Sequence, residues 1–232
     1  MSVPDLVIFD CDGVLVDSEV ISNRIFMESF AELGIAFTLE EMMAFGVGKN
    51  AVTLAAAIER EFGVTLPAGF IEGRRARIMA AFTTELRPID GIPELLAALG
   101  LNRCVASNSH IRRVRHALTT TGLMPHLEPH IYTPALVAQG KPAPDLFLYA
   151  AKQHNVRPER CLVIEDSLSG VVAAKAAGMP VIGFVGGSHC RPGHADTMRD
   201  AGCVEVFAQM ADVAVFLNAE LKLDDRTGAD VA

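Results

Sequence analysis

Short apolar runs separated by helix-length segments fill the second half of this chain, and that alternation limits the folds open to it. Cys104-Val105-Ala106, His130-Ile131-Tyr132, Cys161-Leu162-Val163-Ile164 and Pro180-Val181-Ile182-Gly183-Phe184 are each short enough for a strand buried on both faces. Helical spacing occupies residues 92–99, 111–120, 145–154 and 168–177, the last followed by Gly178 at a natural helix end. A weaker run at 204–207 and a helix through 212–221 complete the pattern. Repeated strand–helix alternation predicts a parallel sheet covered by helices on both faces, an α/β core of the Rossmann-like, doubly wound kind. One more strand, Leu6-Val7-Ile8-Phe9, stands apart near the N-terminus.

After that first strand the next strand-like run begins only at residue 103. Between them, residues 20–33, 39–45, 51–62 and 68–85 carry helical spacing, broken at Gly34, Gly46-Val47-Gly48 and Gly63. The expectation is an all-helical insertion over 16–87, set into a core made of 1–15 and 88–232. The polar tail from 224 to 232 is expected to fray. With 232 residues, half of them hydrophobic, the chain has ample material for a core.

A net charge of −8 argues against nucleic acid, which would want a basic stripe. An anionic ligand then needs a local positive site or a bound metal. No membrane span or secretory signal is expected, since MSVPDLVIFD lacks a basic n-region and its apolar run soon meets an aspartate. The five cysteines are scattered and odd in number, without CxxC, which argues against a disulfide framework and for a reducing cytoplasm. Cys104 and Cys161 each open an apolar run and read as small buried hydrophobes.

Polar clusters sit where ligands bind in such sheets, beyond the carboxyl ends of the strands. They are Asp10-Cys11-Asp12-Gly13, Ser107-Asn108-Ser109, Lys141 on a loop, and Glu165-Asp166-Ser167. Singly, each has a plain explanation. An Asp/Gly turn, two helix N-caps and an exposed loop lysine would account for them. Their joint occurrence in order points instead to phosphoryl transfer. Several carboxylates around one hard cation make a Mg²⁺ site, and one aspartate can attack phosphorus. A serine hydroxyl, backbone amides and an ammonium stabilise the transferring oxygens. A second aspartate, its pKa lifted by its neighbour, can protonate the leaving oxygen and later activate water.

DCDGV at 10–14, Ser107 after an apolar strand, Lys141 in KPAPD, and EDS at 165–167 resemble the four motifs of the haloacid dehalogenase superfamily. The resemblance is closest to its phosphoglycolate phosphatase and β-phosphoglucomutase branch, in which a helical cap follows strand one. It implies Asp10 as nucleophile and metal ligand, and Asp12 as general acid/base that also ligates through its carbonyl. It implies Ser107 and Lys141 as phosphoryl binders, Asp166 as metal ligand and Glu165 in support of the Mg²⁺ site. Gly13, Asn108 and Ser109 are expected around the substrate phosphate. In the insertion, Gly48 and Lys49 resemble the substrate-specificity loop. Arg75, in the basic run with Arg74 and Arg77, is a candidate for a second substrate anion, against the plainer reading of a solvated helix face.

The expected activity is a Mg²⁺-dependent phosphatase acting on a small phosphorylated metabolite, with no nucleic acid, membrane or protein partner. A β-phosphoglucomutase-like mutase is the alternative, and a non-catalytic phosphate-binding module a distant third. Relative to those mutases, Ser22 replaces a histidine and Phe26 a tryptophan. His189, Cys190, His194 and Cys203 have no usual zinc spacing and are expected on a loop near the cleft mouth. His110 either approaches the phosphoryl site or stands exposed at a helix start. His116, His126, His130 and His154 read as structural or surface groups.

Overall fold

The structure is a computed structural model that describes residues 3–46 and 51–227. The chain divides into two compact units, Met1–Asp17 with Arg87–Ala232, and Ser18–Leu86. The first unit holds β1 (Leu6–Phe9). The second holds four helices: α1 (Glu19–Ala31), α2 (Leu39–Gly46), α3 (Ala51–Phe62) and α4 (Phe70–Glu85). The first unit resumes with α5 (Ile92–Ala98), β2 (Asn102–Ala106), α6 (Ile111–Thr120), α7 (Met124–Leu127) and β3 (Ile131–Tyr132). It ends with α8 (Asp145–Gln153), β4 (Cys161–Glu165), α9 (Leu168–Ala176), β5 (Val181–Phe184), α10 (His194–Asp200), β6 (Glu205–Phe207) and α11 (Met210–Thr227).

All six strands are parallel, in the order β3-β2-β1-β4-β5-β6. The chain steps outward from β1 on one side, then returns to β1's other flank with β4. The strand order therefore reverses at β1, where a crevice opens at the carboxyl ends. β1, β4 and β5 are buried along their whole length, as parallel strands covered on both faces must be. Leu6 and Ile8 belong to a core cluster with Phe147, Ala150, Val171 and Ala174 of α8 and α9. Val7 and Phe9, pointing to the opposite face by the strand's alternation, are fully buried as well. Cys104 and Cys161 sit in the same cluster as Leu6, as small apolar residues would.

The helical unit has its own core of Phe26, Phe30, Ile35, Met42, Leu54 and Ile58. Phe30 is fully buried and packs against the rings of Phe26, Phe37 and Phe70.

Several expectations are corrected. α10 and α7 are helices that the sequence pattern did not reveal. His130 and Pro180 stay outside β3 and β5, whose hydrogen-bonded runs start one residue later. α11 continues to Thr227, beyond the expected end at 221 and into the segment expected to fray. Among the described residues no helix is long and apolar enough to cross a membrane.

Candidate active site

β1 and β4 lie side by side in register, Phe9 opposite Ile164. This pairing brings Asp10, the residue after β1, beside Glu165, the last residue of β4, and Asp166. The three carboxylates are buried, and each offers an oxygen within 4.8 Å of the others. Lys141 reaches them on the loop after β3. Its Nζ donates to Asp10 Oδ1 at 2.7 Å and to Glu165 Oε1 at 2.5 Å, and its side chain is only 2% exposed. An exposed loop lysine is therefore ruled out. The loop is fixed by Asn108, whose side-chain amide donates to Lys141 O at 2.8 Å and accepts from Lys141 N at 2.9 Å.

Glu165 is locked from its other side. Oε2 accepts from the Asp166 and Ser167 backbone N–H groups at 3.1 Å and from Ser167 Oγ at 2.9 Å. Ser167 also caps α9 by accepting from Gly170 N at 3.1 Å. Gly170 has to be glycine for reasons of space. A Cβ there would lie 1.9 Å from the Glu165 carboxyl carbon. Gly13 is in the left-handed region at φ +80, and a Cβ on it would lie 1.9 Å from Asp166 Oδ2.

Asp166 Oδ2 is 2.9 Å from His189 Nε2, and its backbone carbonyl is 2.7 Å from His194 Nε2. Burial pushes the Asp10 carboxyl well above the ordinary range; the Lys141 ammonium pulls against this, and Glu165 and Asp166 add to it. Burial raises Asp166 too, with His189 opposing and Glu165 reinforcing. For Lys141 burial alone would lower the pKa, but the Asp10 and Glu165 carboxylates outweigh it and hold the ammonium charged. The centre is thus an all-oxygen anionic cluster with one embedded ammonium. Its chemistry suits a hard cation and a phosphate.

A sequence profile of haloacid dehalogenase-like hydrolases matches residues 4–178. The chain belongs to this family. It is a phosphatase of the haloacid dehalogenase-like type. The hydrolase is 34% identical over 193 residues to the 6-phosphogluconate phosphatase of Escherichia coli strain K12, spanning 83% of this chain and 87% of the relative. A haloacid dehalogenase-like protein of unknown function from Agrobacterium tumefaciens superposes with a TM-score of 0.83 at 40% identity, over 93% of this chain and 98% of that one. A family hydrolase from Deinococcus radiodurans, solved with bound phosphate and sodium, gives 0.81 at 33%, over 95% and 97%.

Within this hydrolase not all of the expected residues meet. Asp10, Lys141, Glu165 and Asp166 meet directly. Ser107 is buried at the end of β2, and its Oγ accepts from Ser109 N at 3.1 Å. Asp12 turns its carboxylate to Ser109 and to Arg113. Gly48 and Lys49 lie outside the described residues. Arg75 is exposed on α4.

The basic run is not a uniformly solvated face. Arg74 is buried with its guanidinium 4.1 Å from the Phe26 ring centroid, and Arg77 pairs with Glu28 and Glu32. Nor is the 107–109 stretch the cap of α6. His110 fills that role, its side chain accepting from Arg112 N, and it stands exposed. Three residues were missed as partners of the site, Arg113, His189 and His194. His189 was visible only as a loop histidine, but Arg113 carried a signal, because a cation in a helix's first turn opposes the macrodipole and needs a reason.

Proposed function

We propose that this hydrolase is a Mg²⁺-dependent phosphatase of a sugar phosphate or phosphosugar acid, working through an aspartyl-phosphate on Asp10. The observation that carries the reading is the buried cluster of Asp10, Glu165 and Asp166 with the Lys141 ammonium inserted into it. The donor set fits Mg²⁺: oxygen only, buried, and destabilised by its own burial in the absence of a cation. Asp10 and Asp166 would hold the ion, with Asp12 adding its carbonyl and Glu165 in support. When bound, the ion offsets the charge that would keep an anionic nucleophile from an anionic phosphate.

An Asp10 oxygen attacks phosphorus as the bond to the ester oxygen breaks. The electron pair leaves on that oxygen, which takes its proton from Asp12. Water then attacks the same phosphorus, giving a proton back to Asp12, and the Asp10–phosphorus bond breaks. Lys141 and Ser107 hold the phosphoryl oxygens throughout, with Gly13, Asn108 and Ser109 on the surrounding turns.

The phosphosugar-acid class draws support from the relative named for 6-phosphogluconate, and the phosphate site from the phosphate-bound Deinococcus structure. In the helical unit, Gly48, Lys49 and Arg75 are proposed to select the substrate.

A phosphate-release screen tests the reading, using sugar phosphates, phosphosugar acids, pentitol phosphates, phosphoglycolate and nucleotides with and without EDTA. Release from a sugar phosphate or phosphosugar acid, lost in EDTA and restored by Mg²⁺, is expected. Full activity in excess EDTA, or release from none of these two classes, overturns it.

A further inference from the structure

The carboxylate of Asp12 lies outside the acidic cluster and is held by two donors of its own. Oδ1 accepts from Arg113 Nη2 at 2.7 Å, and Oδ2 accepts from Ser109 Oγ at 2.5 Å. The Arg113 and Asp12 side chains are 21% and 14% exposed. A partly buried, charge-assisted bond on one oxygen and a hydroxyl on the other fix a direction, which a solvated ion pair does not.

The position of Arg113 strengthens the case. α6 opens with Arg112 and Arg113 and carries no acidic residue in its first turn, an arrangement that the helix macrodipole disfavours. Arg112 faces solvent, whereas Arg113 is drawn inward to a carboxylate 101 residues earlier in the chain. Ser109 is equally fixed. Its backbone N–H donates to Ser107 Oγ, and the neighbouring Asn108 amide clamps the Lys141 backbone. The loop that presents the phosphoryl-binding groups therefore also aims the Asp12 carboxylate.

We infer that Arg113, together with Ser109, is a positioning residue that sets the direction of the Asp12 carboxylate and through it the delivery of a proton to the leaving oxygen. The inference rests on the acid role proposed for Asp12. Its consequence is selective. Esters of poor leaving groups need that proton as the ester bond breaks, whereas p-nitrophenolate departs without it.

The test compares kcat/KM for p-nitrophenyl phosphate and for phenyl phosphate in the wild type, Arg113→Met, Arg113→Lys and Asp12→Asn. This ratio of constants reports the steps up to release of the alcohol and leaves out hydrolysis of the phosphoenzyme. Arg113→Met is expected to lose about 10-fold or more on phenyl phosphate and less than about 3-fold on p-nitrophenyl phosphate, a share of what a general acid supplies. Arg113→Lys, which keeps a charge but not the fork, should recover part of the activity lost on phenyl phosphate. An equal fall on both esters, or no fall on either, overturns the positioning role. Asp12→Asn separates the two layers. A leaving-group-selective loss there with none in Arg113→Met overturns only the role of Arg113, whereas no selective loss in Asp12→Asn overturns the acid assignment itself. Should Arg113→Met not fold, Arg113→Lys and Arg113→Gln carry the same comparison.

Discussion

Asp10 and Glu165 share one ammonium, and this makes the two carboxylates respond differently to substitution. Asp10→Asn keeps the side chain's shape, removes the carboxylate proposed to attack phosphorus and relieves a group that burial has raised in pKa. Lys141 retains Glu165 at 2.5 Å. Turnover is therefore expected to fall below about 1% of wild type, since an amide is a poor nucleophile, with the melting temperature equal or higher. Steady-state kinetics beside a thermal melt check both halves, and substantial residual kcat would remove Asp10 from the nucleophile's role. Gly170 predicts the opposite pattern. Glu165 is fully buried and bonded on both oxygens, so it cannot yield to a Cβ placed 1.9 Å from its carboxyl carbon. Gly170→Ala is expected to cost about 1–3 kcal/mol of stability, the usual penalty of overpacking, and to weaken Mg²⁺ binding measured by calorimetry. Wild-type values for both would refute this account of the glycine.

At the scale of elements, α8 ends against β3 in a contact that titrates. His154 caps the helix C-terminus, with its ring 4.4 Å from His130 and 6.2 Å from Tyr132 by centroid, and its buried Nε2 lacks a hydrogen-bond partner. Burial lowers its pKa, and His130 adds to the effect. The unfolded chain therefore binds this proton first, and the contribution of His154 to stability is present above the unfolded pKa of about 6.5 and lost as pH falls through it. His154→Phe keeps an aromatic ring and removes the proton. Its melting temperature relative to wild type should rise as pH drops from about 7.5 to 5.5; a pH-independent difference would exclude the mechanism. The same scale explains what the sequence could reveal. β1, β4 and β5 are buried along their whole length, so their existence was plain, while Pro180 blurred the start of β5 and His130 that of β3. α10, HADTMRD, buries Met198 alone, so it carries no periodicity to detect. The four motifs were legible because each follows a strand end or the loop beyond it. The bond from Arg113 to Asp12 and that from His189 to Asp166 are made only once strands distant in the chain have paired, and no local pattern encodes them.

For the whole molecule, hydrolysis and mutase chemistry differ in the fate of the proposed phosphoenzyme. Where related mutases carry a histidine, this chain has Ser22, whose hydroxyl donates to Ser18 O at 2.9 Å within its own helix and does not titrate near neutrality. Water should therefore compete well for the aspartyl-phosphate. Incubation with β-glucose 1-phosphate and catalytic glucose 1,6-bisphosphate is expected to yield inorganic phosphate at least as fast as glucose 6-phosphate; a large excess of the hexose isomer would promote the mutase reading. The insertion that carries Ser22 leaves and rejoins the sheet-bearing unit at neighbouring points. Asp17 N donates to Arg87 O at 3.1 Å, and Val16 bridges Pro88. A segment whose two ends are already tied together adds no new closure to the chain around it, whatever its length or sequence. In evolutionary terms it is a side branch, free to be exchanged while the trunk keeps its connections. A chimaera that splices the helical bundle of a relative between Asp17 and Arg87 should accordingly inherit the donor's choice of ester and retain the recipient's catalytic groups.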